Sequence, residues 1–121
     1  MAWETVGIKD LAEAKNAVES INPERRSVEL MVKKALFIVA KIKDVRNSAC
    51  NILKQEMLAN GGEVAVAEGM ANCTVEKADV LIMGTLKQWE ALAKVMRVQA
   101  EYIKCEELAQ DLEEIVEKHR E

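Results

Sequence analysis

Hydrophobic and polar positions divide the first part of the chain into a helix and an extended region. Apolar residues recur at helical spacing from Ile8 to Ile21, which predicts an amphipathic helix over about residues 9–20. Asn22-Pro23 ends this helix, because the residue before a proline avoids the helical conformation. From Val28 to Lys43 the pattern is extended and predicts one short strand followed by one long strand.

The long strand is apolar on both faces over its first half. One face carries Leu36, Ile38, Ala40 and Ile42, and the other carries Phe37 and Val39 before Lys41 and Lys43 replace them. A strand that is apolar on both sides is typical of the interior of a sheet with helices on both faces. We therefore expect helices to cover this strand from both sides.

A second helix and a short strand follow. The helix begins within residues 44–47 and ends near Asn60, where Gly61 supplies a left-handed cap. Its buried face is formed by Ala49, Ile52, Leu53 and Met57. Residues 63–67 then predict a strand, and residues 71–75 predict a brief extended piece.

The last part of the chain predicts a central strand and two helices. Asp79 to Gly84 is contiguously apolar from Val80 to Met83, which places it at the centre of the sheet. A helix follows from about Leu86 to Arg97, and the final helix carries an apolar stripe of Leu108, Leu112, Ile115 and Val116. These elements predict an α/β fold in a single domain, residues 1–121, with a small mixed sheet of about four strands and helices packed over it.

Charge and aromatic content narrow the range of partners. The formal net charge is −4 with acidic and basic residues interleaved, and only four residues are aromatic: Trp3, Phe37, Trp89 and Tyr102. A nucleic-acid partner is not expected, because it requires basic patches or aromatic stacking platforms. The apolar runs are too short for a membrane span, and Glu4 stands where a signal peptide is basic or apolar. We expect a soluble cytoplasmic protein without membrane contact.

The cysteines do not predict a metal site or a disulfide framework. Cys50, Cys73 and Cys105 are odd in number, widely separated and contain no Cys-x-x-Cys pair. We interpret them as reduced packing residues, although Cys50 and Cys105 lie near predicted helix starts, where a thiol pKa can be lowered. No metal and no cofactor is expected.

Three segments carry a family resemblance. Asn51 to Leu58 (NILKQEML), residues 61–66 (GGEVAV) and residues 79–88 (DVLIMGTLKQ) resemble, in order and spacing, the extension found ahead of the barrel in certain bacterial dihydropteroate synthases. The resemblance covers about residues 20–97. The synthase barrel needs roughly 250 residues and opens with an Asp-x-Thr-Pro-Asp-Ser-Phe loop, whereas the single proline here is Pro23. The resemblance therefore implies a freestanding accessory domain without synthase activity.

Two polar groups are candidates for binding a pterin, folate or other anionic metabolite. They are Asn51, Lys54 and Gln55 on the second predicted helix, and Thr85, Lys87 and Gln88 at the start of the next. Amides can recognise the hydrogen-bonding edge of a pterin, a lysine can bind a carboxylate or phosphate, and backbone N–H groups of residues 85–87 can bind an anion at a helix N-terminus. The alternative is that the first group is a solvated helix face and that Thr85 is an ordinary N-cap.

Three function classes remain open at this point. The first is a non-catalytic accessory or interaction protein for pterin, folate or one-carbon enzymes, and the second is a small-ligand-binding module. The third is an enzyme, for which no nucleophile and base can be named, because the single histidine, His119, lies near the end of the chain. We also expect a homodimer, because apolar stripes on the first and last helices exceed what one thin sheet can cover.

Overall fold

Five helices and three strands form the protein, described by a computed structural model of all 121 residues. The elements are α1 (Leu11–Glu19), α2 (Arg25–Ala35), β1 (Phe37–Arg46), α3 (Asn47–Ala59), β2 (Glu63–Ala65), β3 (Lys77–Thr85), α4 (Leu86–Ile103) and α5 (Glu106–Arg120). The helices pack against the sheet, and this arrangement confirms the predicted α/β class.

The sheet has the strand order β1-β3-β2, and both pairings are antiparallel. β3 is therefore the central strand, as the sequence predicts. The predicted mixed sheet of about four strands is replaced by an antiparallel sheet of three. The difference arises because residues 25–35 are helical and because residues 71–75 form turns instead of an extended piece.

α2 occupies the region for which the sequence pattern predicted a short strand. Val28, Met31, Val32 and Ala35 follow the i, i+3, i+4, i+7 spacing of a helix face, and Val32 is buried. Two lysines in the last turn, Lys33 and Lys34, also favour the helix, because their positive charges lie at the negative end of the helix dipole. The extended interpretation of residues 28–35 was wrong because helical spacing and short-range alternation overlap in this segment.

β1 buries only one of its two apolar faces. Leu36, Ile38 and Ile42 are buried as predicted, whereas Phe37 is 60% exposed and Val39 is 53% exposed. The prediction that helices cover both faces is therefore wrong. Near its end the strand shifts register between Ile42 and Val45, where Asp44 adopts a left-handed conformation with φ +55°. Such a bulge bends the strand and interrupts its pairing.

α3 and α4 supply most of the predicted inner core. Leu53 and Met57 of α3 are fully buried, as are the α4 residues Leu86, Trp89, Leu92 and Met96. The indole N–H of Trp89 donates a hydrogen bond of 3.1 Å to the carbonyl of Ile38, which ties α4 to β1. Gly61 has φ +88° after the end of α3, so the predicted left-handed cap is confirmed.

α5 packs against α4 and covers its own apolar stripe within the chain. Leu108, Leu112 and Val116 are buried, and an Arg97–Glu113 ion pair of 2.6 Å bridges the two helices. The argument that this stripe needs a second subunit is therefore wrong, although the dimer itself remains a prediction. None of the five helices combines the length and apolar character that crossing a membrane requires.

Candidate functional site

The β3–α4 junction, where an anion site was predicted, is closed by a capping box. The Thr85 hydroxyl accepts a hydrogen bond from the Gln88 N–H at 3.3 Å, and the Gln88 side-chain oxygen accepts one from the Thr85 N–H at 2.8 Å. The Leu86 N–H donates to the carbonyl of Leu36 at 2.9 Å. Two of the three N–H groups predicted to be free, those of Thr85 and Leu86, therefore have partners inside the protein.

Gln88 also links the start of α4 to the end of α3. Its side-chain amide donates a hydrogen bond of 3.1 Å to the carbonyl of Asn60, one of the last carbonyl groups of α3. The start of α4 and the end of α3 therefore meet at Gln88. The contact is made by the α3 terminus, however, and Lys54 and Gln55 are one to two turns earlier in that helix.

Asn51 and Lys54 bind the segment that follows α3. The Asn51 amide donates to the carbonyl of Met70 at 3.3 Å, and the Lys54 ammonium donates to the carbonyl of Val64 at 2.9 Å. Lys54 also forms a 3.3 Å ion pair with Glu63. The hydrogen bond from the Val64 N–H and the contact with Lys54 together lower the pKa of Glu63. These two side chains hold β2 and the following loop against α3.

Gln55 and Lys87 are the two candidate residues that point to solvent, because both are exposed. Four of the six candidates therefore form hydrogen bonds within the chain, and the other two are exposed to solvent. The separation could not be foreseen, because a polar side chain on a helix has the same sequence signature whether it binds a neighbouring loop or water.

A polar cleft of about 690 Å³ lies between the end of β1 and the start of α5. Its charged lining includes both signs: Lys43, Asp44, Arg46, Lys77, Lys104, Glu106, Glu107 and Asp111. The Arg46 guanidinium donates hydrogen bonds of 2.8 Å to the carbonyls of Ile103 and Lys104, so it stabilises the end of α4. Sequence reasoning missed this cleft, because it depends on the bulge in β1 and on the position of α5.

Burial and charge shift two titratable groups at this cleft. Desolvation, followed by the nearby Glu106 carboxylate, raises the pKa of the Cys105 thiol. Desolvation, followed by repulsion from Glu107 and Glu114, raises the pKa of Asp111. Both shifts favour the neutral forms of these groups.

One face of the sheet is not covered by helices, and the sequence pattern did not predict this exposed face. We define the open sheet face as Phe37, Val39 and Lys41 of β1, Leu81 and Met83 of β3, and Glu63 and Ala65 of β2. Cross-strand pairing arranges these residues in two rows across the sheet. One row is Val39, Met83 and Glu63, and the other is Lys41, Leu81 and Ala65. Four of the seven side chains are large and apolar, so the face resembles an interface more than a solvated surface.

Comparison with known proteins adds one relationship. The chain is similar to part of a dihydropteroate enzyme. It is 31% identical over 101 residues to the bifunctional dihydropteroate synthase/dihydropteroate reductase of Helicobacter pylori. The aligned region comprises 81% of this chain but only 25% of that protein, so the chain spans about a quarter of the relative's length. No family model matches the chain. No solved structure matches it either.

Proposed function

We propose that this protein is a non-catalytic accessory domain that works with an enzyme of dihydropteroate metabolism. The observation that carries the proposal is the similarity of four fifths of the chain to a quarter of a protein named for two dihydropteroate activities. The residues that resemble the synthase extension fall on α3, β2, β3 and the start of α4. The resemblance therefore coincides with the elements that form the sheet and its inner helices.

The fold supports the accessory role over the synthase role. A synthase barrel consists of eight parallel strands with their helices, whereas this chain forms three antiparallel strands with five helices. We therefore propose that the chain corresponds to the extension ahead of a synthase barrel that its sequence resembles. In this position the domain acts on the enzyme by contact, and folate or one-carbon enzymes are its proposed partners.

An activity assay on the purified protein tests the non-catalytic part of this proposal. We expect no condensation of a pterin pyrophosphate with p-aminobenzoate above background. We also expect no reduction of dihydropteroate when a reduced nicotinamide or flavin is supplied. Turnover of either kind by the pure chain, proportional to its concentration, would show that the domain is itself an enzyme.

A small-ligand-binding module for a pterin, folate or other anionic metabolite is the second candidate. The observation that favours it is the exposed Lys87 in the first turn of α4, where a cation and the helix dipole both attract anions. Thermal melts with a panel of pterins, folates and phosphate esters test it. A ligand-dependent rise in melting temperature that Lys87→Ala removes would favour the module, and an unchanged melting temperature across the panel would exclude it in this form.

A further inference from the structure

The polar cleft between the end of β1 and the start of α5 holds charges that do not neutralise one another. None of the eight charged residues that line it forms an ion pair within the chain. The groove between α4 and α5 differs, because nearly all of its charged residues are ion-paired: Glu90, Arg97, Glu113, Glu117 and Arg120. The fold therefore keeps opposite charges apart only in the cleft.

The charges of the cleft separate between its two walls. The sheet wall, formed by β1 and β3, carries Lys43, Asp44, Arg46 and Lys77. The helix wall, formed by the α4–α5 turn and α5, carries Lys104, Glu106, Glu107 and Asp111. Three of the four charges on the sheet wall are positive, and three of the four on the helix wall are negative. The cleft therefore has a positive side and a negative side.

Each wall contains two like charges at positions where opposite charges would be favourable. Arg46 and Lys77 are directly opposed in the pairing of β1 with β3, and like charges at such positions destabilise a sheet. Glu107 and Asp111 are four residues apart on α5, and like charges at this spacing destabilise a helix. Desolvation and repulsion from Glu107 and Glu114 raise the pKa of Asp111. An anion bound at the first pair and a cation bound at the second would offset both costs.

The walls are fixed in place, so they do not neutralise each other by closing the cleft. Leu108 and Leu112 are buried and hold α5 against α4. The Arg46 guanidinium donates hydrogen bonds of 2.8 Å to the carbonyls of Ile103 and Lys104, which fix the end of β1 to the end of α4. Both bonds come from the same terminal nitrogen of Arg46. Its other N–H groups are therefore available to an anion.

We propose that this cleft binds a small zwitterion, a metabolite with a carboxylate at one end and a protonated nitrogen at the other. The carboxylate contacts Arg46 and Lys77, and the protonated nitrogen contacts Glu107 and Asp111. The helix wall repels a polyanion and the sheet wall repels a polycation, so a dipolar molecule is the class that both walls accept. The cleft volume of about 690 Å³ lies in the range of small-molecule sites. This binding site goes beyond the accessory role and does not depend on it.

An NMR titration with molecules that differ only in their charged ends tests the proposal. The zwitterions are glycine, γ-aminobutyrate and ε-aminocaproate, which span different lengths, and the controls are caproate and hexylamine, which each carry one charge. We expect at least one zwitterion to shift backbone amides of both walls, in residues 43–46 and 104–107. Each control should bind about tenfold more weakly, since it loses the charged hydrogen bonds of one end. No shift up to about 50 mM, or equal binding of the controls, would overturn the proposal.

Two pairs of variants locate the ligand. Lys77→Gln and Glu107→Gln each remove one exposed charge from a wall, whereas Lys94→Gln and Glu101→Gln remove exposed charges of α4 outside the cleft. We expect the two cleft variants to weaken zwitterion binding about twofold to fivefold, as loss of an exposed charge pair does, and the two controls to leave it unchanged. Equal binding by all four variants would contradict the proposal.

Thermal melts of the same variants test whether the two walls already neutralise each other. Lys77→Gln and Glu107→Gln should be at least as stable as the wild type, because each removes a like-charge repulsion. A lower melting temperature for both variants, with Lys94→Gln and Glu101→Gln unchanged, would show that the walls pair with each other. That result would remove the reason for a dipolar ligand and would overturn the proposal.

Discussion

Thr85 and Gln88 show how single side chains fix the connection between a strand and a helix. Each of these residues accepts a hydrogen bond from the backbone N–H of the other, and Gln88 also donates to the carbonyl of Asn60. Without these bonds the first N–H groups of α4 and the last carbonyls of α3 would need water or a ligand. The same residues that resemble a ligand site in the sequence therefore complete a helix terminus in the fold.

Replacing Thr85 tests this structural role. Thr85→Ala removes the hydroxyl that accepts from the Gln88 N–H, and it should lower the free energy of unfolding by about 1 kcal/mol, as N-cap removal typically does. Lys87→Ala is the matched control and should change stability little, because Lys87 is exposed. Chemical denaturation of both variants measures the difference. An unchanged stability for Thr85→Ala would contradict the capping role.

Thiol reactivity tests the burial of the cysteines. Cys50 and Cys105 are buried and Cys73 is exposed. Burial is the largest cause that raises the pKa of both buried thiols above the ordinary value of 9.0. A thiol reagent at pH 8 should therefore modify only Cys73 in the native protein and all three cysteines in denaturant. Rapid modification of Cys105 in the native state would show that the cleft beside it opens.

The raised pKa values of the two buried thiols make the stability of the fold depend on pH in the alkaline range. The pKa of each buried thiol is raised in the folded state, so the unfolded state loses these protons first as the pH rises. Their contribution to stability is complete below about pH 9 and is lost as the pH rises through the folded-state pKa. Denaturation midpoints from pH 7 to pH 11 should fall above pH 9, and Cys50→Ala with Cys105→Ala should reduce that fall.

At the scale of elements, two glycines permit α3 to approach the sheet closely. A Cβ atom at Gly84 of β3 would lie 2.5 Å from the terminal methyl of Met57, and one at Gly62 would lie 2.8 Å from the same atom. Met57 is fully buried, so it cannot move away into solvent. A side chain at either glycine therefore requires the Met57 side chain to move within the packed core.

Gly84→Ala should destabilise the protein by about 1–3 kcal/mol, because overpacking a core costs this much. Gly7→Ala is the control, since a Cβ at that position meets no atom within 4 Å. Met57→Leu shortens the side chain that causes the clash, so it should recover part of the loss when combined with Gly84→Ala. Equal stability of the two alanine variants in thermal melts would contradict this account of the packing.

The elements also show what the sequence could and could not determine. The burial of Leu53, Trp89, Leu92 and Met96 was predictable, because their helical periodicity is strong and local. The exposure of Val39 was not, because a strand face covered by helices and one left open have the same apolar sequence. The polar cleft could not be predicted either, because it depends on the β1 bulge and on where α5 lies along β1.

At the scale of the whole molecule, the accessory role requires a surface that an enzyme can contact. Phe37 and Val39 on the open sheet face are exposed, whereas Ile38 and Ile42 on the opposite face of β1 are buried in the core. The open sheet face and the exposed surfaces of the helices are therefore the two candidate contact surfaces for a dihydropteroate enzyme.

The most direct test of the accessory role is a titration of the dihydropteroate synthase of the same organism with this protein. The account predicts saturable binding by calorimetry, with one chain for each synthase subunit, and a change in synthase kcat/KM that follows the same binding curve. Val98→Asp and Val39→Asp show whether the helical side or the sheet face carries the contact. No binding at concentrations up to about 100 μM, together with unchanged synthase kinetics, would contradict the proposal.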